Sequence, residues 1–273
     1  MIFLLPFSAL RCACLMQLVA AQMKEFGMKI LFSALILALS LGAQAQSFKL
    51  YAAAGVKLPM QALAQRFEAD TGRSVELDFD TAGAAQEKFQ KDPQAIFLIT
   101  TEERLMAAQA AGQISGGRMW LLADTVAGIA SSKSPKPQIN SVEDLRRALR
   151  DAKSIAFSDP ARGATVGKHF AALIRKLGIE SEVLGKATLA RDGVETMKLV
   201  QSGAVELGIT QLSEVVQADA STLVGPFPGE FDLFTRYAIW VRGTDPAGDS
   251  FVALLRSEVG SKSFKSNGLR PAP

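Results

Sequence analysis

The sequence predicts an α/β protein in which two lobes of mainly parallel sheet, covered by helices, are joined by a two-strand hinge. From residue 48 onward, short β-rich runs alternate with helical patterns, the order typical of parallel sheets with crossover helices. An apolar run over residues 120–130 leads into a Ser-, Lys- and Pro-rich loop at 131–137, where we expect the chain to enter the second lobe. A late strand-like run over residues 235–241 predicts its return.

The first lobe is predicted to consist of repeated strand–turn–helix units. Residues 48–52 form the first strand, and Pro59 suits the start of a helix that Gly72 ends. Residues 75–79 alternate apolar and acidic side chains, which is typical of a half-exposed strand. The other elements predicted here are a short helix opening at 81–85, a buried strand at 96–99 and a helix over 102–111 closed by Gly112.

The second series starts at Ser141, a good N-cap residue with Asp144 three positions later. The elements predicted after it are a strand at 153–157, a helix over 166–177, a capped helix start at 192–195, a strand at 205–210, and helices at 250–255 and near Phe264. The two crossings divide the chain into a first lobe of residues 46–126 and 234–273 and a second lobe of residues 127–233.

Residues 1–45 are predicted to be a leader that carries a signal peptide. A Met-Lys pair at 28–29 precedes an apolar run over residues 30–41, and Ala-Gln-Ala at 43–45 forms a small-residue cleavage site. Export predicts a periplasmic location for the mature chain. The sequence leaves open whether translation starts at Met1 or at the later methionine.

Composition narrows the classes of function. Both cysteines, Cys12 and Cys14, lie in the leader, so we expect neither disulfides nor thiol catalysis in the mature chain. The leader also holds three of the 30 Lys and Arg residues and one of the 27 Asp and Glu residues, which leaves a net charge of +1. A near-neutral exported domain predicts no nucleic-acid partner. His169 is the only histidine, which excludes multi-histidine metal ligation, and no metal or cofactor is predicted.

The most informative segment is residues 158–165, Ser-Asp-Pro-Ala-Arg-Gly-Ala-Thr, between a strand and a helix. Such a turn leaves helix N–H groups unpaired and places the positive end of the helix dipole at the sheet edge where α/β proteins bind ligands. Arg162 adds a positive charge. The segment therefore predicts an anion cradle, although Asp159-Pro160 and Gly163 would turn the chain equally well without a ligand.

A cleft between the two lobes is predicted to hold the ligand, because lobe closure buries a ligand from water. The helix starts near Gly55, Ala82, Thr165 and Gly193 form its expected walls. Each offers backbone donors on a turn of small residues, which lets a compact anion approach closely.

Several segments carry a family resemblance: residues 49–55 ahead of a helix, 97–100, 155–160 with 176–178, and 199–200 with 206–209. With them the chain resembles, over residues 48–270, the periplasmic molybdate-binding proteins, which are substrate-binding components of ABC importers with the type II periplasmic binding fold. The resemblance implies a small anionic ligand and importer membrane subunits as partners. We expect a monomer.

Three positions depart from that family, which holds its oxyanion with serine hydroxyls at the first two turns and often a tyrosine after the late strand. The matching residues here are Gly55, Ala82 and Gln211. Each lost hydroxyl donor costs a buried anion roughly 1.5 to 3 kcal/mol. The vacated space would admit a larger ligand. The predicted ligand-binding residues are Ala54, Gly55, Thr81, Ala82, Gly83, Arg162, Thr165, Asp192, Gly193 and Gln211.

The favoured function is therefore a periplasmic binding protein for a small organic carboxylate, with a molybdate-like oxyanion as the other ligand class. Arg162 and Arg191 would each suit a planar carboxylate by bidentate pairing. The competing interpretation is that both arginines are solvated surface charges.

The alternative is an enzyme, because the same fold carries aconitate isomerase, a periplasmic enzyme resembling the molybdate-binding family. It shifts a double bond in a tricarboxylate by moving a proton, which needs a base, a matching acid and carboxylate clamps but no cofactor. Glu214, Glu195 and His169 are candidate bases by position alone, and no residue is assigned as catalytic.

Overall fold

Ten strands form one sheet across residues 47–273, the part of the chain that the computed structural model describes; the predicted leader and its cysteines lie outside it. The strands are β1 (Phe48–Ala53), β2 (Val75–Asp80), β3 (Phe97–Thr101), β4 (Gly117–Ser131), β5 (Ile155–Ser158), β6 (Ala187–Ala190), β7 (Leu207–Gln211), β8 (Leu223–Pro226), β9 (Phe234–Arg242) and β10 (Arg270–Pro271).

The helices cover the faces of this sheet. They are α1 (Lys57–Thr71), α2 (Ala82–Lys91), α3 (Glu102–Ala110), α4 (Val142–Asp151), α5 (Thr165–Lys176), α6 (Glu180–Leu184), α7 (Gly193–Gln201), α8 (Leu212–Asp219), α9 (Pro246–Arg256) and α10 (Glu258–Ser266). Short 3-10 turns lie at Ala54–Val56, Pro160–Arg162, Ala220–Thr222 and Gly229–Phe231.

The strand order is β2-β1-β3-β9-β4-β7-β5-β6, with β8 and β10 pairing onto β4. β1 is parallel to β2 and β3, and β5 is parallel to β6 and β7. The strands at the centre, β4 and β9, run antiparallel to their neighbours. The predicted α/β fold is confirmed: the two lobes contribute the parallel outer strands, and the long strands between them are antiparallel.

An aromatic core holds the first lobe together. Phe97 of β3 packs against Phe48 and Phe251, with ring centroids 5.6 and 5.1 Å apart, and Phe67 of α1 lies 5.1 Å from Phe251. All four side chains are buried, so the β1–α1 unit is fixed to helix α9, near the C-terminus, by apolar contact. The C-terminal segment thus returns to the first lobe.

The second lobe has a separate core. Phe157 of β5 and Phe170 of α5 pack edge to face with centroids 4.9 Å apart, and Leu145 and Leu149 of α4 are buried in the same cluster. Leu145 and Leu149 lie one helical turn apart, which places both on the face of α4 that meets the sheet. This packing fixes the strand–turn–helix segment that was predicted as an anion cradle.

The hinge consists of β4 and β9. Residues 117–126 of β4 pair with β9, whereas residues 127–131 pair with β7. β4 therefore changes partner near the predicted boundary between residues 126 and 127. The lobe limits themselves, 46–126 with 234–273 and 127–233, stay a prediction.

None of the helices found between residues 47 and 273 has the length and apolar character needed to cross a bilayer. The same part of the chain contains no group of three or more His, Cys, Asp or Glu side chains placed to hold a metal ion.

Candidate functional site

A small cavity lies between the lobes, at the ends of strands from both. Its volume is about 30 Å³, enough for about two water molecules. No Lys or Arg side chain is among the described residues that line it, which are Ala53, Ala54, Gly55, Thr81, Ala82, Ser158, Ala164, Thr165, Val166, Gly193, Thr210, Gln211, Glu214 and Tyr237.

Five strand-to-helix turns meet at this cavity. β1 leads into the turn Ala54–Val56, β2 into α2, β5 into α5, β6 into α7 and β7 into α8. β1 and β2 run in one direction and β5, β6 and β7 in the opposite one, so the carboxyl ends of the two groups face each other across the cleft. The first turns of these helical segments therefore line one space. Caps and lobe contacts already engage some N–H groups of α2, α7 and α8, whereas α5 has no side-chain cap. The free N–H groups and the positive ends of the helix dipoles make the arrangement suited to an anion.

Seven of the ten predicted binding residues line the cavity: Ala54, Gly55, Thr81, Ala82, Thr165, Gly193 and Gln211. The other three, Gly83, Arg162 and Asp192, lie beside it. Asp192 is the N-cap of α7, and its Oδ1 accepts a hydrogen bond from the Glu195 backbone N–H at 2.9 Å. Gly83 contacts the opposite lobe, because a Cβ atom on Gly83 would lie 2.6 Å from the Gly163 Cα atom.

Arg162 and Arg191, which were predicted to suit a carboxylate ligand, are both paired with protein carboxylates. Arg162 Nη2 lies 2.8 and 3.0 Å from the carboxylate oxygens of Asp80, at the end of β2 in the first lobe. Arg191 Nη2 lies 3.1 Å from Asp192 Oδ2.

Two sets of contacts hold the lobes together around the cavity. On one side are the Asp80–Arg162 ion pair and a hydrogen bond from Thr81 Oγ1 to the Arg162 carbonyl. On the other side Gln217 of α8 donates from Nε2 to the Gly55 carbonyl at 2.8 Å, and its Oε1 accepts from the Leu58 N–H at 3.0 Å. The structure is therefore a closed form of the cleft.

Protein side chains fill the space next to two of the glycines. A Cβ atom on Gly55 would lie 2.2 Å from the Tyr237 hydroxyl oxygen, and one on Gly193 would lie 2.0 Å from Glu214 Oε2. At Gly55, one of the three positions where space for a larger ligand was predicted, the Tyr237 hydroxyl therefore takes up that space, while the prediction for Ala82 and Gln211 stays a prediction.

Glu214, which the sequence indicated only as one of three candidate bases, lines the cavity. It is buried, and its Oε2 accepts hydrogen bonds from Thr210 Oγ1 and from the Gln211 backbone N–H, the latter at 3.2 Å. Burial raises the pKa of Glu214 to about 7; the two hydrogen bonds oppose this rise, and the charge of Asp192 adds to it.

Tyr237 of β9 is the second ionisable group in the cavity, and no pattern in the sequence singled it out. Its side chain is buried, and burial, together with the nearby Glu214 carboxylate, raises its pKa well above the usual range. Tyr237 is therefore a neutral phenol at physiological pH, able to donate a hydrogen bond.

Three hydroxyl groups among the described cavity residues remain for a ligand, those of Ser158, Thr165 and Tyr237, because the Thr81 and Thr210 hydroxyls donate to protein acceptors. The other candidate bases lie elsewhere: His169 Nε2 is 2.8 Å from the Phe231 carbonyl, and the Glu195 carboxylate accepts from the Arg191 N–H.

Two curated relatives cover most of the chain. An aconitate isomerase from a Pseudomonas species is 25% identical over 230 residues, covering 80% of this chain and 86% of that protein. The molybdate-binding protein ModA of Azotobacter vinelandii is 26% identical over 257 residues, covering 88% of this chain and 98% of that protein.

Solved structures share the fold. The periplasmic molybdate-binding protein of Azotobacter vinelandii has a TM-score of 0.67 at 18% identity, covering 83% of this chain and 99% of that chain. Peb3 from Campylobacter jejuni has a TM-score of 0.56 at 16% identity, covering 82% and 99% respectively.

The family model of the bacterial extracellular solute-binding proteins matches residues 48–270. This match and the molybdate-binding relatives confirm the resemblance that the sequence motifs indicated. The chain belongs to the bacterial extracellular solute-binding protein family, in which it is a divergent relative of the molybdate-binding proteins.

Proposed function

We propose that this chain is a periplasmic binding protein that captures a small organic carboxylate or a tetrahedral oxyanion between its lobes and delivers it to an ABC importer. The observation that carries the proposal is the convergence of five helical N-termini on one cavity lined by small residues. Family membership and the molybdate-binding relatives support the same class of function.

The size of the cavity favours a compact ligand. About 30 Å³, the space of about two water molecules, is close to the size of one carboxylate group, whereas a tetrahedral oxyanion or a tricarboxylate requires the lobes to stand further apart. Ser158 and Thr165 would donate hydroxyl hydrogen bonds, and the helix N-termini would supply backbone N–H donors. Positive charge within the cavity would come from helix dipoles rather than from arginine side chains.

A thermal-shift panel on purified residues 46–273 tests the proposal. The panel contains molybdate, tungstate, phosphate, lactate, citrate and both aconitate isomers, with chloride as the control anion. A ligand at one hundred times its Kd stabilises the folded state by about 2.7 kcal/mol, which gives a clear rise in Tm. A panel without any shift relative to chloride would overturn the proposal.

A second candidate function is the isomerisation of aconitate, favoured by the presence of Glu214 and Tyr237 in one cavity and by the aconitate isomerase relative. In this reaction the Glu214 carboxylate would take a proton from the methylene carbon, the double bond would shift, and a proton would return to the former vinyl carbon. Tyr237 would hydrogen-bond a substrate carboxylate during the shift.

Chromatography separates the two candidates. Incubation of the protein with cis-aconitate is expected to give the trans isomer only if the chain is an isomerase. In that case Glu214→Gln abolishes conversion while Glu195→Gln, a carboxylate outside the cavity, retains it. If no conversion occurs at micromolar protein concentration, the isomerase function is excluded and the binding function remains.

A further inference from the structure

Glu214 is the one carboxyl side chain among the described residues that line the anion cavity. We propose that Glu214 enters the ligand complex as a neutral carboxylic acid and donates a hydrogen bond from Oε1 to the bound anion, so that binding takes up one proton. The inference deepens the proposed binding function and rests on it, because it requires an anion in this cavity.

The hydrogen bonds of the side chain decide which oxygen carries the proton. Thr210 Oγ1 and the Gln211 N–H both donate to Oε2, which makes that atom an acceptor. Oε1 has no hydrogen-bond partner within residues 47–273. The proton of the acid form therefore belongs on Oε1, the oxygen left for a ligand.

Contacts around Glu214 hold the carboxyl group in place. Oε2 occupies the position that a Cβ atom on Gly193 would need, at 2.0 Å, and Thr210 Oγ1 lies on the same side. Because Gly193 begins α7, the carboxyl group lies at a helix N-terminus that also faces the ligand space. A bound anion would therefore lie close to Oε1.

Within residues 47–273, the ionisable groups that act on Glu214 are an anion and a neutral phenol rather than a cation. The nearby negative charge is Asp192, the N-cap of α7, which is itself paired with Arg191. The nearby group from β9 is the Tyr237 phenol. No ionisable side chain comes from four of the elements packed against α8, which are β7, β8 and the turns at 54–56 and 220–222.

The other charged residues on elements packed against α8 are either engaged or exposed. Asp124 of β4 pairs with Arg236 and Arg270, and Arg118 of β4 pairs with Asp249. Glu195 of α7 accepts from a backbone N–H, Lys198 of α7 is exposed, and Asp219 at the end of α8 accepts from the Ser221 N–H. No Lys or Arg within residues 47–273 forms an ion pair with Glu214.

An arriving anion therefore meets either a neutral donor or a negative charge. The ionised form would repel it and would compete with it for the same helix N-termini, whereas the acid form donates to it. Burial, which already raises the pKa of Glu214 to about 7, makes the acid form accessible at neutral pH. The ligand raises the pKa further.

Calorimetric titration with molybdate and with lactate tests this inference, because neither probe changes charge between about pH 6 and about pH 9. Titrations in two buffers of different ionisation heat measure proton uptake. The expected result is uptake approaching one proton per ligand above pH 8 and a Kd that rises about tenfold per pH unit above pH 7.

Glu214→Gln supplies the decisive variant, because an amide keeps a donor and cannot titrate. It should bind the same probe with a pH-independent Kd and without proton uptake, after its melting curve has shown that it is folded. Glu195→Gln, outside the cavity, should keep the pH dependence of the original chain.

Binding without proton uptake, or a folded Glu214→Gln protein that no longer binds, would overturn this inference while leaving the proposed function intact. If neither probe binds at any pH, the proposed function fails for both ligand classes, and this inference falls with it.

Discussion

The carboxylate of Asp80 and the guanidinium of Arg162 meet across the cleft, with Arg162 Nη2 at 2.8 and 3.0 Å from the two carboxylate oxygens. Asp80 is buried at the end of β2, and Lys88 Nζ lies 3.1 Å from it. Burial alone would raise the pKa of Asp80, but hydrogen bonds from Arg162, the Thr81 N–H and Lys88 outweigh it, so the pKa is lowered. Asp80 is thus ionised at neutral pH and fixes the two lobes in the closed arrangement.

Removal of this ion pair should weaken ligand binding. Because the Arg162 side chain is 37% exposed, the pair is worth about 1 kcal/mol, so Arg162→Ala should raise the Kd about fivefold. Calorimetry gives the Kd, and small-angle scattering should show a smaller ligand-induced decrease in the radius of gyration.

The exposed pair Arg175–Glu180, which lies within the second lobe, supplies the control Arg175→Ala. Equal affinities for Arg162→Ala, Arg175→Ala and the unaltered chain would show that the Asp80–Arg162 pair does not assist closure.

Gly83→Ala should prevent complete closure. The added Cβ atom would lie 2.6 Å from the Gly163 Cα atom and 2.9 Å from its carbonyl oxygen, and both are backbone atoms of the other lobe. Overpacking of about 1 to 3 kcal/mol would weaken binding roughly 5- to 150-fold. The Tm of the ligand-free protein should stay nearly constant, because the open form has no such clash.

The matched control is Gly248→Ala, also in a helix, where the nearest atoms to a new Cβ lie at 3.6 Å. This change should leave the Kd constant and raise stability slightly through helix propensity. A Gly83→Ala protein with unaltered affinity would contradict the close interlobe contact.

Thr165→Val should remove a hydroxyl donor from the ligand. The two side chains have the same shape, so the change isolates one hydrogen bond to a charged group, worth about 1.5 to 3 kcal/mol. We expect the Kd to rise roughly 10- to 150-fold in a titration with whichever panel anion binds.

Thr188→Val on the exposed edge strand β6 is the control for the same chemical change away from the cavity. Comparable affinities for the two valine variants would exclude Thr165 from the binding site.

Glu214→Gln should make the ligand-free protein more stable at high pH than the unaltered chain. The carboxyl pKa is near 4.5 when unfolded and about 7 when folded, so the acid form is favoured by folding. The contribution of this group to the free energy of unfolding is fully present below about pH 4.5. It is lost as pH rises through about 7, by an amount on the order of 3 kcal/mol.

The measurement is the difference in Tm between the two proteins from pH 5 to pH 8. The difference should grow in favour of Glu214→Gln over this range. A constant difference would show that the pKa of Glu214 is not raised by folding.

The order of strands and helices could be predicted because each depends on local patterns. The predicted helix opening at residues 81–85 is α2, and the apolar run at 120–130 lies within β4. The edge strand β6 was missed because Thr188 and Leu189 are exposed, so it lacks the apolar signal of a buried strand. The two hinge strands were predicted, but their antiparallel pairing with each other was not, because strands far apart in sequence carry no local signal of which strands they pair with.

The sequence by itself determined the α/β fold, the turns of small residues and the strand-to-helix turn at residues 158–165, because hydrophobic periodicity and turn chemistry act between near neighbours. Tertiary structure decided which charges the ligand meets. Arg162 forms an ion pair with Asp80, 82 positions away in the sequence. Tyr237 lines the cavity although it lies on a strand whose apolar sequence indicates only a core position. By its sequence, Glu214 is an ordinary residue in the first turn of a helix; only the folded structure shows that it is buried against Gly193. Burial and contacts between residues far apart in sequence decide the ionisation of these side chains, and neither can be inferred from the neighbouring residues in the sequence.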